Sequence, residues 1–277
     1  MRKLRLPMGE EIPVLGLGTW KMGEAAKQRA QEVRALQSGL DLGMTLIDTA
    51  EMYAEGGAEE VAAEAIAGRR AEVFVVSKVL PSNASRKGVV AACERSLKRL
   101  GIDRIDLYLL HWRGSVPLAE TLAGFTDLVQ AGKIRSCGVS NFDVKDMTEW
   151  MALNGAAATQ TNQVLYNVGT RGIEFDLIPW QAKRDIPVMA YSPLAQGRLP
   201  RAPGLTKVAA RHGLTVGQVM LAWCLRHAHV FAVPKSSQVE RIRENAAAAD
   251  VILSPADLAE IDRDFAPPGK ASPLDML

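Results

Sequence analysis

Eight short apolar runs, separated by stretches of helical periodicity, restrict the fold of this chain more than any other feature. They lie at residues 15–19, 45–48, 73–78, 105–111, 134–140, 159–163, 187–191 and 230–234. Strands buried on both faces read as continuous apolar stretches, as these do, and such strands belong to parallel sheets covered by helices. Amphipathic segments at 26–42, 58–67, 86–100, 118–130, 144–151 and 215–227 supply the helices; in the third, Val89, Val90, Cys93, Leu97 and Leu100 recur at helical spacing. The runs repeat roughly every 25–40 residues, the length of one βα unit. Eight in succession predict a closed α/β fold, a (β/α)8 barrel of the TIM type, rather than an open sheet. Two further extended pieces, 3–6 and 11–14, flank Pro7-Met8-Gly9-Glu10 and predict an N-terminal hairpin that plugs the bottom of the barrel. Residues 255–265 predict one more helix, and 196–204, rich in Gly, Pro and Arg, a long loop after the seventh strand.

The 277 residues, 48% of them hydrophobic, suffice for one large core, and no linker or low-complexity tract divides them, so 1–277 is expected to be a single domain. A net charge of +2 gives no footprint for nucleic acid or an anionic membrane. Three widely spaced cysteines, Cys93, Cys137 and Cys224, do not suggest a disulfide framework. With no apolar N-terminal stretch and no run of membrane-spanning length, a soluble, monomeric, cytoplasmic protein is expected.

Chemistry in such barrels collects at the carboxyl ends of the strands. Asp48 ends the second run, Lys78 the third and His111 the fourth, while Tyr53 lies one short loop beyond Asp48. A phenol titrates near 10, too high for easy proton exchange at neutral pH. A neighbouring ammonium is expected to draw the Tyr53 value down, and Asp48 to hold Lys78 charged and oriented. His111 is placed to hydrogen-bond a substrate carbonyl. Each residue alone has an ordinary explanation as a surface tyrosine, a barrel-mouth salt bridge or a satisfied histidine; four on consecutive strands do not.

A dinucleotide would need an unusual cradle here, because Gly16-Leu17-Gly18 runs into Thr19-Trp20 and does not open a helix as a Rossmann fingerprint would. Tyr191, ending the seventh run, could stack on a nicotinamide, and Ser140, Asn141 and Gln163 suit a carboxamide; Asn141 could equally cap the following helix. Lys235-Ser236-Ser237 and Arg241 follow the eighth run and open a helix, a ready anion site. Cys224, His227 and His229 lack a second pair of ligands, so no metal is expected, and His227 is read as a cation at a helix C-terminus.

These residues sit within motifs that resemble the aldo-keto reductases over essentially the whole chain. The motifs are Gly16-Leu17-Gly18-Thr19-Trp20, Asp48-Thr49-Ala50-Glu51-Met52-Tyr53, Val76-Ser77-Lys78, Leu107-Tyr108-Leu109-Leu110-His111-Trp112, Gly138-Val139-Ser140-Asn141-Phe142, Asn162-Gln163, Ala190-Tyr191-Ser192-Pro193-Leu194 and Val233-Pro234-Lys235-Ser236. The resemblance implies NADPH-dependent carbonyl reduction, with Tyr53 as general acid, Asp48 and Lys78 as its tuning pair and His111 orienting the carbonyl. It implies a cofactor wall of Gly18, Thr19, Trp20, Asp48, Ser140, Asn141, Gln163, Tyr191, Ser192, Pro193, Leu194 and Gln196. The 2′-phosphate would meet Lys235, Ser236, Ser237 and Arg241, with Glu244 and Asn245 near the adenine, so NADPH is expected ahead of NADH. Residues 197–201 are a further candidate for the pyrophosphate.

Trp20, Met52, Tyr53, His111 and Trp112 are expected to wall the substrate pocket, left open by a short C-terminal tail. Arg113, directly after Trp112, is the one candidate to pair with a substrate carboxylate, though a surface position is expected of it. Lys21-Met22-Gly23-Glu24 and the stretch from Glu51 to Glu59 are most similar to bacterial members that reduce small aldehydes such as methylglyoxal. The alternative is an NADPH-binding regulatory barrel with little turnover, like the potassium-channel β subunits. A Schiff-base role for Lys78 is disfavoured by Asp48.

Overall fold

The structure, a computed structural model, describes residues 1–198 and 201–277. Two antiparallel strands, β1 (Lys3–Arg5) and β2 (Glu11–Pro13), form the opening hairpin. Eight parallel strands follow in sequence order around one sheet: β3 (Leu17–Gly18), β4 (Leu46–Asp48), β5 (Phe74–Val79), β6 (Ile105–Leu110), β7 (Ile134–Ser140), β8 (Thr159–Leu165), β9 (Val188–Tyr191) and β10 (Val230–Ala232). The seam between first and last is closed by Gly16 N–H donating to Ala232 O at 2.9 Å and Gly18 N–H to Pro234 O at 3.0 Å. Gly18 has no alternative at that seam, since a Cβ there would lie 2.7 Å from Val233 O. The chain therefore forms the (β/α)8 barrel expected of its eight apolar runs, and every residue of β4, β5, β6 and β8 is buried.

The hairpin covers the N-terminal end of the barrel, where Met8 N–H donates to Gln160 Oε1 at 2.9 Å and Glu10 pairs with Arg135 at 2.6 Å. Gln160 and Arg135 each stand one residue inside the start of their strands, so the hairpin closes the mouth opposite the strand ends that carry Asp48 and His111.

Helices α1 (Ala26–Asp41), α2 (Gly57–Ile66), α3 (Arg86–Leu100), α4 (Leu118–Gln130) and α5 (Val144–Met151) form the first part of the outer layer. α3 shows why the sequence makes them. Ser85 caps it by accepting from Gly88 N–H at 3.2 Å, Gly101 ends it in the left-handed conformation, and Val89, Cys93, Leu97 and Leu100 bury one stripe. Fully burying such a side chain contributes ~1.5–3 kcal/mol, so Leu97→Ala would strip the helix of much of its anchorage.

The layer continues with α6 (Leu177–Ala182), α7 (Pro203–His212), α8 (Val216–Cys224), α9 (Val239–Ala247) and α10 (Pro255–Asp264). The long loop expected over 196–204 is shorter than that. Pro203 opens α7, an N-terminal position where proline's missing N–H costs nothing, and Leu205 and Val208 bury its inner face. Of this loop, Leu199 and Pro200 lie outside the described residues. Among the described residues no helix is long and apolar enough to cross a membrane.

Candidate active site

Lys78 is fully buried, and its three N–H groups each have a partner. Asp48 Oδ1 lies 2.8 Å away, Thr49 O 2.7 Å and Tyr53 Oη 3.3 Å. A buried ammonium is costly unless paired and hydrogen-bonded, and this one has a carboxylate at the end of β4 and a carbonyl and a phenol on the loop between β4 and α2. Burial by itself would lower the Lys78 value; Asp48, and after it Tyr53, outweigh burial and hold the amine above its ordinary range, hence charged. Gln163 fixes the carboxylate from across the barrel, donating through Nε2 to Asp48 Oδ1 at 2.8 Å.

The Tyr53 ring stands edge-on to His111, centroids 5.7 Å apart at 74°, with the Lys78 ammonium 4.9 Å from the ring. The expectation that Lys78 draws the phenol below its ordinary value is corrected by burial. Desolvation of the phenolate is the larger effect, Lys78 only partly offsets it, and the net displacement is upward. Tyr53 accordingly carries its proton at neutral pH.

His111 is buried as well, and burial, with the Lys78 charge adding to it, lowers its value to about 2. The imidazole is neutral, and its Nδ1 is buried with no hydrogen-bond partner among the described residues. Trp112 tilts against it at 4.9 Å, and Trp20 and Met52 are each about two-fifths exposed at the rim. Arg113 does not face this mouth as a free cation. It is held by Asp146 at 2.6 Å and Glu149 at 2.8 Å on α5.

On the adjoining strand ends, Asn141 sits in the left-handed region at φ 59° and donates to His111 O at 3.0 Å and Ser140 Oγ at 3.2 Å. Tyr191 donates its hydroxyl proton to Asn141 Oδ1 at 3.0 Å. The cap of α5 is Asp143, which accepts from Asp146 N–H at 2.7 Å, so Asn141 is not spent on the helix. Ser140 Oγ donates to Gln163 O at 2.9 Å, tying the β7 and β8 ends. Of the residues after Tyr191, Ser192 takes φ 48°, Pro193 is buried, Leu194 packs against the core, and Gln196 is exposed with φ 58°.

At the other end of this edge, Lys235 and Arg241 are exposed, Ser236 and Ser237 partly so. They stand between β10 and α9, whose N-cap Gln238 places no side chain on the helix N–H groups. Ser236 Oγ accepts from Gln238 N–H at 3.1 Å. Arg241 is paired with Glu244 at 3.2 Å on the exposed face, while Asn245 is buried. Gly18, Thr19 and Trp20 bridge the two ends, Thr19 donating its hydroxyl to Asp48 O at 2.9 Å.

Two expectations about the periphery change. The C-terminal tail returns to the barrel top, with Ser272 against Gly172, Leu274 packed on the core and the Leu277 backbone near the Tyr191 hydroxyl, so that side of the mouth is covered. A cleft of about 700 Å³ opens beside it, between α5, Ile173 and Leu274, apart from the Lys78 cluster. His227 is neutral rather than a C-terminal cation: burial first, then Arg226, lowers it to about 4. Two further carboxylates, Glu51 and Glu59, are buried on either side of Tyr53 in the chain, and neither stands at a strand end where the sequence pattern would single it out. The Gly56-Gly57 pair was the available signal, since it marks a tight turn there.

Comparison with known proteins identifies the family. Residues 14–264 match the model of the Aldo/keto reductase family. The chain is 50% identical over 273 residues to methylglyoxal reductase YeaE of Escherichia coli (strain K12), covering 96% of this chain and 95% of that one. It is 35% identical over 259 residues to the glyoxal reductase of Bacillus subtilis (strain 168), covering 94% and 91%. A crystal structure of an aldo/keto reductase from Klebsiella pneumoniae, in complex with NADP and acetate, superposes with a TM-score of 0.97 at 49% identity, covering 99% of each chain. A barrel of this topology, matched along almost its whole length by both sequence and structure, makes the chain a member of the aldo/keto reductase family.

Proposed function

We propose that this protein is an NADPH-dependent reductase of small aldehydes and ketones, methylglyoxal-like dicarbonyls and aromatic aldehydes among them, with Tyr53 as the general acid. The observation that carries the reading is the Lys78 ammonium, its three hydrogens committed to Asp48, Thr49 and Tyr53 at the barrel mouth. The relatives named for methylglyoxal and glyoxal reduction, and the solved relative containing NADP, support the substrate class and cofactor.

The residues present fit the cofactor. The Tyr191 ring and the Asn141 amide suit a nicotinamide, and the uncapped α9 N-terminus with Lys235, Ser236, Ser237 and Arg241 suits a phosphate. When bound, NADPH supplies the hydride. The chain's own work is on the oxygen. His111, neutral, donates a hydrogen bond that aims the carbonyl. Its buried Nδ1 has nothing to accept a proton, so the proton belongs on Nε2, because an orphaned N–H is less tolerable than an unsatisfied acceptor. Tyr53, protonated at neutral pH, gives its proton to the oxygen as negative charge gathers there, and the Lys78 ammonium stabilises the phenolate left behind. Trp20, Met52 and Trp112 form the apolar wall, which discriminates substrates weakly, at ~1–3 kcal/mol per methylene.

The test is to follow NADPH absorbance against methylglyoxal, an aromatic aldehyde, a ketone and a sugar, with NADH in parallel. Turnover of several small carbonyls with NADPH ahead of NADH is expected. No turnover of any aldehyde despite normal NADPH binding would replace this reading with a cofactor-binding regulatory role.

A further inference from the structure

Tyr53 sits on a stretch of chain that would not hold its shape unaided. Immediately after it, Ala54, Glu55 and Gly56 take φ values of 49°, 53° and 95°, three consecutive left-handed residues, two of them bearing side chains. Non-glycine residues in that region persist only where their surroundings over-determine them. Two buried carboxylates, Glu51 before Tyr53 and Glu59 after it, provide such surroundings.

Glu51 Oε1 accepts from Leu80 N–H at 2.8 Å and from Asn83 Nδ2 at 2.9 Å, and Arg95 approaches Oε2 at 3.5 Å. Glu59 accepts from Ser77 Oγ at 2.6 Å and from Arg99 Nε at 2.6 Å. The Arg99 side chain lies over Gly56 so closely that a Cβ there would collide with it. Both carboxylates thus reach the chain that carries Lys78: Ser77 is the residue before it on β5 and Leu80 two residues after. The Tyr53 loop is pinned to β5 on either side of the lysine whose ammonium lies 3.3 Å from the phenol.

We infer that Glu51 is a positioning residue for the general acid, with the Glu59–Arg99 pair as the second fastener, the two together setting the distance between Tyr53 and Lys78. This rests on Tyr53 being the acid. Glu51 has no part in the proton transfer; it fixes where the proton donor stands. A donor displaced by about 1 Å loses catalysis steeply, up to ~100-fold, even when the displacement begins away from the reacting atoms.

The experiment compares Glu51→Ala, Glu51→Gln, Tyr53→Phe and the double variant Glu51→Ala/Tyr53→Phe, each first shown to be folded by circular dichroism and to bind NADPH. Glu51→Ala is expected to lower kcat by ~10- to 100-fold with KM for NADPH unchanged. Its alkaline limb should move to higher pH, because the phenol leaves the ammonium that draws it down. Glu51→Gln keeps the accepting oxygen and should recover most of the loss. On the Tyr53→Phe background Glu51→Ala should cost nothing more, since both act through one group. A folded Glu51→Ala with the parental kcat and pH profile overturns the inference, as does Glu51→Gln as damaged as Glu51→Ala, or a double variant whose losses multiply. Should Glu51→Ala not fold, Asn83→Ala, which removes one of the two close donors, must lower kcat at constant KM, and parental kcat there overturns the inference. Parental activity in Tyr53→Phe alone would instead overturn the assignment of the acid.

Discussion

The three hydrogens of the Lys78 ammonium divide the work of the site among neighbours that can be removed one at a time. Tyr53→Phe deletes one hydroxyl and leaves the ring edge-on to His111, so folding and NADPH binding should be retained. Reduction should fall by roughly 10²–10⁴-fold, the range general acids supply, as stopped-flow or steady-state NADPH oxidation would register. Lys78→Met should lower kcat comparably and move the alkaline limb of the rate profile to higher pH. The sign follows from the balance at Tyr53, where burial already raises the phenol and Lys78 is the main opposing influence. An alkaline limb that stays in place or moves down would contradict that balance. His111 should contribute no limb between pH 5 and pH 9, because burial has taken its titration down to about 2.

Among the elements, β10 and α9 meet at the proposed anion end of the barrel, and their junction gives two contrasting expectations. Arg241 is exposed and, among the described residues, paired only with Glu244, so Arg241→Ala should leave the melting temperature within a degree or two while weakening NADPH by ~10- to 100-fold, the worth of a hydrogen bond to a charged group. NADH should be barely affected; equal weakening of both would remove the 2′-phosphate from Arg241. Gly18 is the reverse case. Gly18→Ala places a methyl against Val233 O at the closing seam, and overpacking of that kind costs about 1–3 kcal/mol, to be read as a lower urea midpoint. Elements with a strong pattern were legible in the sequence. Continuous apolar runs marked all eight barrel strands to within a residue or two, and α3, α4 and α5 begin and end where their periodicity does. α6 was missed because six residues with Pro179 among them give too short a period to read, and α7 because Pro203 and Gly204 in its first turn look like loop. The four strand-end residues could be found because their places on the barrel follow from strand order. Glu51 and Glu59 had only the Gly56-Gly57 turn to signal them, since what matters about them is the contacts they make across β5 and α3.

For the molecule as a whole, the fold holds two histidines in their neutral form, His111 buried and His227 half-buried, and its response to mild acid should follow from them. In the unfolded chain each titrates near 6.5, whereas burial lowers His111 to about 2 and His227 to about 4. Between those values the unfolded chain holds a proton that the folded chain refuses, so protonation draws the equilibrium toward unfolding. The stabilisation is complete above about pH 6.5 and is lost as the pH falls, down to about 4 for His227 and about 2 for His111. Carboxylates whose values are lowered, such as Glu174 beside Arg171 and Arg226, act in the same direction but mainly below the ordinary carboxylate range, so the interval from pH 7 to pH 5 belongs mostly to histidine. One pKa unit corresponds to about 1.4 kcal/mol, which makes the loss over that interval on the order of 2 kcal/mol for buried His111 and less for half-buried His227, which solvent screens. Urea midpoints at pH 7 and pH 5 measure it directly. His227 lies against Tyr166, ring centroids 6.5 Å apart, and is not among the partners of Lys78, so His227→Gln should shrink the pH-dependent drop by somewhat less than half without altering kcat for an aldehyde. An undiminished drop in that variant would mean that the acid sensitivity of this barrel resides elsewhere.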